Sequence, residues 1–204
     1  MKCYMIAISG NETSEFYSQV CKESWEKRGY TVEHFEAVVP ETIPENGELT
    51  FGLHKGRREF TATERAIWYS HFNLWKHCVE TNEAIHVIEH DSFLLDEMPD
   101  FTGADIELFA IFDYRYKSSY RGIKNVVSPC AGYYISPEAA KVLIEKSTNQ
   151  VITLNVDWTV HETYDDYHLE ETGRENLRFQ MNIQGQCVVQ QLYIPDVGTT
   201  IEHR

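Results

Sequence analysis

The chain has 204 residues, of which 42% are hydrophobic and 25% charged, a balance that is typical of a folded globular domain and excludes wholesale disorder. Its 32 acidic and 18 basic residues give a formal net charge of −14. Such a charge repels polyanions and opposes broad binding to nucleic acid or anionic membranes, although it leaves room for a local basic pocket.

The sequence lacks the features of membrane and secreted proteins. No apolar run approaches the ~20 residues that a membrane span needs, and the first apolar run is too short for a signal peptide. The five cysteines are widely spaced and contain no CxxC pair, so reduced thiols are predicted rather than disulfides or a structural zinc site. We therefore expect a cytoplasmic protein.

The chain opens with a predicted strand–helix–strand unit. Lys2 to Ser9 is a short apolar run that ends at a turn sequence, and Tyr30 to Val39 alternates between apolar and polar residues. Between them, Thr13 can cap a helix that runs to about Arg28, and Gly29 is placed to end it. This order of elements requires a parallel pair of strands.

Residues 40–60 interrupt this pattern. They contain two prolines, three glycines and a basic group formed by Lys55, Arg57 and Arg58. The composition predicts a loop, and a loop of this length inside a domain is usually functional or mobile.

The next segment predicts the strongest helix of the chain. Thr61 and Glu64 have the spacing of a capping box, and the helix should end near Thr81. Its apolar stripe contains one histidine, His71, which on such a stripe is more often a core residue than a ligand. The residues predicted on the opposite face are Arg65, Tyr69, Asn73, Lys76 and Glu80.

The second half of the chain continues the alternation of strands and helices. Strands are predicted at 84–88, 107–113 and 131–135, and Ser136-Pro137-Glu138 has the residues of a helix start. That helix should run to about Lys146. Since the chain shows no internal repeat or linker, we predict one α/β domain over residues 1–204, with a mostly parallel central sheet flanked by helices.

The triplet Glu89-His90-Asp91 directly follows the predicted strand at 84–88. Residues i and i+2 of an extended segment point the same way, so two carboxylates would meet at the edge where open α/β sheets bind ligands. Carboxylate oxygens suit Mg²⁺ or Mn²⁺, and either ion can bridge to a diphosphate. The alternative is an ordinary polar turn after a strand.

Two residues in the C-terminal part of the chain are further candidate functional residues. Asp157 lies between Val156 and Trp158, so it is either a partly buried acid with a shifted pKa or a surface acid at a strand end. His203 lies one residue from the C-terminus, where the alternative is a disordered tail.

The order of these features resembles glycosyltransferase family 25, which comprises lipooligosaccharide galactosyltransferases and related collagen galactosyltransferases. The resemblance rests on Thr63-Glu64, on Ser70-His71 with Trp75 soon after, and on the apolar strand that ends in Glu89-His90-Asp91. Residues 61–91 are its specific part. Weaker similarity extends to Phe35-Glu36-Ala37-Val38, Gly132 to Ser136, Gln190-Gln191 and Thr199 to Ile201.

The resemblance implies a GT-A fold and a metal-dependent, inverting enzyme that moves a sugar from a nucleotide-sugar donor to a hydroxyl acceptor. A glycan or lipooligosaccharide is the expected acceptor. The implied catalytic residues are Asp157, as base, and Glu89. The implied ligands of Mn²⁺ or Mg²⁺ are Asp91, Glu89 and His203. The implied contacts of the nucleotide sugar are Ile8, Ser9, Ala37, Glu64, His71, His90 and Gly132.

The sequence also departs from the family pattern. His90 replaces the middle aspartate of the family's triplet, and Asn11-Glu12 stand where an arginine usually follows the first strand. These departures leave the sugar and nucleotide open, and they motivate a second hypothesis, a catalytically degenerate module that binds nucleotide sugars.

A third hypothesis is sugar transfer to a hydroxylated DNA base. The net charge of −14 opposes it. In its favour, Arg115, Lys117, Arg121 and Lys124 are interleaved with tyrosines, as in proteins that bind single strands. An ordinary exposed loop is the alternative for that segment. The linkage formed and the oligomeric state are not specified by the sequence.

Overall fold

A central six-stranded sheet organises the computed structural model, which describes residues 2–54, 56–95, 98, 106–108, 110–111, 131–156, 179–181 and 189–191. The strands are β1 (Lys2–Ala7), β2 (Thr31–Glu36), β3 (Leu53–His54), β4 (Arg58–Glu59), β5 (Ile85–Glu89), β6 (Ser92–Leu94), β7 (Ile106–Leu108), β8 (Ala110–Ile111), β9 (Gly132–Ile135), β10 (Phe179–Met181) and β11 (Val189–Gln191). The helices are α1 (Glu12–Glu26), α2 (Ala62–Thr81) and α3 (Pro137–Asn149).

The central sheet has the strand order β10-β7-β9-β5-β1-β2. Strand β1 pairs in parallel with both β2 and β5, and β7 pairs in parallel with β10. Strand β9 is antiparallel to β5 and to β7. The mixed α/β fold with a mostly parallel sheet is thereby confirmed.

Smaller elements surround this sheet. Strands β6, β11 and β8 form a three-stranded sheet. Strands β3 and β4 form a hairpin within residues 40–60, and a 3₁₀ turn spans Pro40–Thr42. The prediction of a plain loop over 40–60 is therefore wrong in part. None of the helices in the described part of the chain has the length and hydrophobicity that crossing a membrane requires.

The two faces of the sheet are covered by different helices. One core combines Tyr4, Ile6, Val87 and Tyr133 of the sheet with apolar residues of α2 and α3. The other combines sheet residues such as Met5 and Ile88 with Cys21 and Trp25 of α1. Successive strand residues point to opposite faces, so Glu89, two positions after Val87, belongs to the face that α2 covers.

Helix α1 begins two residues earlier than predicted because Asn11, not Thr13, caps it. The Asn11 Oδ1 accepts a hydrogen bond from the Ser14 backbone N–H at 2.9 Å, which satisfies one of the unpaired donors of the first turn. The helix is followed, as predicted, by Gly29 in the left-handed conformation, with φ of 82°. Likewise, Ser136 caps α3.

Helix α2 begins with the predicted capping box. Thr61 Oγ1 accepts from the Glu64 N–H at 3.2 Å, and the Thr61 N–H donates to Glu64 Oε2 at 2.9 Å. Arg58 of β4 donates to both carboxylate oxygens of Glu64, at 2.7 and 2.6 Å. Chiefly through these Arg58 hydrogen bonds, and despite an opposing effect of burial, the pKa of Glu64 falls to about 2. Glu64 thus fixes the hairpin to the start of α2.

We predict that Glu64→Ala lowers the free energy of unfolding by about 1 kcal/mol at neutral pH, the usual cost of losing a helix cap. The folded pKa lies below the ordinary 4.5, so the stabilisation is complete above pH 4.5 and is lost as the pH falls from 4.5 towards 2. Urea unfolding at several pH values measures the difference between variant and wild type. Glu80→Ala, at an exposed glutamate of the same helix, is the control; an equal effect at both positions would contradict the prediction.

Candidate functional site

A cavity of about 100 Å³ lies where β1, β2 and β5 end. Its wall comes from the residues that follow these strands and from one side of α2. Six of the predicted site residues line it together, namely Ile8, Ala37, His71, Glu89, His90 and Asp91. The three strands are parallel, so their carboxyl ends share one edge of the sheet, the usual ligand-binding edge of open α/β folds.

The acidic turn of this cavity, Glu89-His90-Asp91, is fastened at both ends. At its start, the Glu89 N–H donates to the Ala131 carbonyl at 3.3 Å. At its end, the buried Ser92 donates its hydroxyl to the same carbonyl, and the Ser92 carbonyl accepts from Trp25 Nε1 of α1 at 2.8 Å. The turn is therefore tied to the segment before β9 and to α1.

Glu89 faces His71 from the α2 side of the sheet. Glu89 Oε1 lies 3.8 Å from His71 Nε2, and His71 is only 1% exposed. On its other side, His71 Nδ1 lies 2.9 Å from the Tyr133 hydroxyl, which accepts a hydrogen bond from Trp75 Nε1 at 2.9 Å. His71 is thus a buried core histidine that also neighbours the acidic turn, and its predicted contact with the nucleotide sugar stays a prediction.

His90 and Asp91 lie towards α1. The His90 ring packs against Tyr17, with ring centroids 6.1 Å apart, and burial lowers the pKa of His90 to about 4, so its imidazole is neutral at physiological pH. Burial, with a smaller effect of the nearby Asp91 carboxylate, raises the pKa of the Cys21 thiol of α1. Glu89 therefore lies beside α2 and Asp91 near α1, and both residues line the cavity.

The donor chemistry of this turn fits a hard divalent cation. Within the described residues, no group of three or more His, Cys, Asp or Glu side chains is arranged to hold a metal ion. However, Mg²⁺ sites commonly use one or two carboxylates and take their other ligands from substrate phosphates and water. Glu89 and Asp91 are the two residues of the turn that would supply such carboxylates. His203, the third predicted ligand, and Asp157, the predicted base, lie outside the described residues.

Three other predicted contacts lie away from this cavity. Ser9 donates to Glu36, lies 3.3 Å from His34 Nε2, and lines a second cavity of about 340 Å³ beside α1. Glu64 is engaged by Arg58 and Thr61. Gly132 pairs with Ile88 inside the sheet. Whether these residues contact a ligand stays a prediction.

Ser70, Trp75 and Tyr133 contribute to the site in ways that the sequence did not indicate. The Ser70 hydroxyl accepts from the Val38 N–H and donates to the Ala66 carbonyl, both at 2.9 Å, which fixes the segment after β2 against α2. Trp75 lies one helical turn after His71, and that spacing places them on one face. Tyr133 belongs to a distant strand, and nothing in the local sequence connects it with His71.

Comparison with known proteins finds one family model that matches part of this chain. Residues 14–108 match the family model described as glycosyltransferase family 25 (LPS biosynthesis protein). A search of curated proteins finds no match.

Two solved structures are similar to this chain at low identity. One is a glycosyltransferase involved in the glycosylation of the major capsid of PBCV-1, at 12% identity and a TM-score of 0.44, with 89% of this chain and 81% of that chain covered. Another, assigned as a glucose-1-phosphate thymidylyltransferase from Bacillus anthracis in complex with a sucrose, has 8% identity and a TM-score of 0.35, with 78% and 63% covered.

The matched segment contains α2, β5 and the acidic turn. The match over residues 14–108 agrees with the family that the motifs of residues 61–91 resemble.

Proposed function

We propose that this protein is a metal-dependent, inverting glycosyltransferase that binds its nucleotide-sugar donor in the cavity at the ends of β1, β2 and β5. The observation that carries the proposal is the position of Glu89 and Asp91, which line one cavity with Ile8, Ala37 and His71. Four of these five residues lie within the segment that matches the family. The proposed cation is Mn²⁺ or Mg²⁺, held by the two carboxylates.

The charge of the site explains why a cation is part of the proposal. The chain has a net charge of −14, and two acidic residues line the cavity, so a diphosphate would be repelled. A bound divalent cation supplies positive charge that offsets this repulsion and the charge of the leaving diphosphate. The aliphatic residues of the wall, among them Ile6, Ile8 and Val38, offer apolar surface to the rest of the nucleotide.

Inverting transfer also needs a base that takes the proton from the acceptor hydroxyl. We propose Asp157 for this role, with Glu89 as the second candidate. The proposed acceptor is a hydroxyl of a glycan or lipooligosaccharide, in agreement with the description of the matching family as LPS biosynthesis proteins. A DNA acceptor and a degenerate binding module remain as outcomes of the experiments below.

We predict that Mn²⁺ with the correct member of a panel of nucleotide sugars raises the melting temperature of the wild type. A ligand at a hundred times its Kd adds about 2.7 kcal/mol, which is a few degrees for a domain of this size. Glu89→Gln and Asp91→Asn should lose this increase because each removes a charged ligand. Differential scanning fluorimetry measures the shift, and chromatography of the sugar products measures transfer and donor hydrolysis.

The control for these variants is Glu83→Gln, which removes an exposed carboxylate that pairs with Lys2 at 3.2 Å, before the start of β5. It should respond to the ligand as the wild type does. The proposal fails if no nucleotide sugar stabilises the wild type, or if Asp91→Asn responds normally. Stabilisation without any transfer or hydrolysis would instead identify a degenerate binding module, and transfer to hydroxylated DNA would identify the third hypothesis.

We also predict that Ala37→Leu weakens donor binding. The larger side chain enters a cavity of only about 100 Å³, and overpacking of about 1–3 kcal/mol corresponds to about 5- to 150-fold in Kd. The Ala37 N–H donates to the Ala7 carbonyl at 2.9 Å, and this backbone bond is retained in the variant. Isothermal titration with the stabilising nucleotide sugar measures the change.

The matched control is Gln19→Leu, at an exposed residue of the second, larger cavity beside α1. It should leave the donor affinity unchanged. The reverse result, with weaker binding in Gln19→Leu and normal binding in Ala37→Leu, would place the donor in the larger cavity.

A further inference from the structure

We infer that Trp75, Tyr133 and His71 form a buried chain of hydrogen bonds that holds His71 with its proton on Nε2, facing Glu89, and that they are positioning residues for this carboxylate. The inference rests on the proposed function insofar as Glu89 is a ligand of the cation. The hydrogen-bond chain itself rests on distances and burial and can be tested without a substrate.

The direction of these hydrogen bonds follows from Trp75. An indole N–H only donates, and Trp75 Nε1 lies 2.9 Å from the Tyr133 hydroxyl oxygen, so the tyrosine oxygen accepts this bond. The same hydroxyl lies 2.9 Å from His71 Nδ1. All three side chains are at most 1% exposed, so water does not compete for these bonds.

Two contacts together decide which nitrogen of His71 carries the proton, namely the Glu89 carboxylate at Nε2 and the Tyr133 hydroxyl at Nδ1. Nε2 faces Glu89 Oε1 at 3.8 Å. An N–H at Nε2 directs a positive hydrogen at the carboxylate, whereas an unprotonated Nε2 directs a lone pair at it and repels it. The proton therefore lies on Nε2, Nδ1 is the acceptor, and the Tyr133 hydroxyl donates to it.

The hydrogen bonds between Trp75, Tyr133 and His71 also restrict the orientation of the His71 ring. The rings of His71 and Tyr133 are nearly parallel, with an interplanar angle of 23°, and Tyr133 is fixed by the pairing of β9 with β5, where it lies opposite Val87. His71 thus presents one donor at a fixed position beside Glu89. Groups that orient metal-binding side chains in this way typically change metal affinity about 10- to 100-fold when they are removed.

The test compares wild type with Tyr133→Phe, which keeps the ring and removes the hydroxyl. Long-range ¹H–¹⁵N NMR of labelled protein reports which imidazole nitrogen of His71 is protonated, with His71→Gln used for assignment. We expect Nε2–H in the wild type and a shift of population towards Nδ1–H in Tyr133→Phe. Loss of free Mn²⁺ signal in electron paramagnetic resonance gives the Mn²⁺ affinity, which should fall about 10-fold or more in the variant.

The matched control is Tyr4→Phe. Its hydroxyl lies 2.9 Å from His77 Nε2, so the variant also removes a tyrosine hydroxyl that contacts a histidine of α2, but away from Glu89. It should change the spectrum of His77 and leave both His71 and Mn²⁺ binding unchanged. A merely structural effect of losing a buried hydroxyl would not produce this difference.

Each result decides the inference. Nδ1–H in the wild type, or an unchanged His71 tautomer in Tyr133→Phe, overturns it. If the variant folds poorly, the wild-type spectrum still shows which nitrogen of His71 is protonated. A changed tautomer with unchanged Mn²⁺ affinity overturns the positioning role. If the wild type binds neither Mn²⁺ nor any nucleotide sugar, the proposed function fails, and the NMR result then decides the hydrogen-bond chain by itself.

Discussion

The parallel alignment of β1 with β2 and β5 is the constraint on which the candidate site depends. In this register, Ile6 lies opposite Glu89 and Ala7 lies opposite Glu36, so the three strands end nearly level. The segments that leave them, which contain Ile8, Ala37 and the acidic turn, consequently emerge at one edge and enclose a cavity. Because β9 runs antiparallel to β5, its start lies at this same edge, where the Ala131 carbonyl accepts from Glu89 and Ser92.

The two carboxylates of the turn are supported by opposite layers of the fold. Glu89 faces the buried group of His71, Tyr133 and Trp75 on the α2 side, whereas Asp91 lies near α1, close enough to influence Cys21. A buried polar group of this kind stabilises one arrangement only when its members find their partners. Small changes in either layer should therefore reach the cavity.

Local sequence patterns correctly predicted the elements that are determined by residues close together in the sequence. The capping box of α2, the strand before the acidic turn and the start of α3 agree with the structure because helix caps and short apolar strands depend on neighbouring residues. The predicted exposure of Tyr69 is wrong, since it is 5% exposed and packs in the core. A periodicity that assumes one buried face fails here because the hairpin region and the segment after β2 cover other sides of α2, through contacts such as Phe51 with Tyr69 and Val38 with Ser70.

By itself, the sequence predicted an α/β domain that resembles glycosyltransferase family 25, with two carboxylates after a central strand, since residue order and spacing along the chain suffice for these conclusions. Only the tertiary structure decided that Glu89 and Asp91 share a cavity with Ile8 and Ala37, that Glu64 binds Arg58, and that Tyr133 meets His71. These are contacts between residues far apart in the chain or on separate elements. They depend on strand order and register. Both arise from the packing of the whole sheet and cannot be inferred from the local sequence.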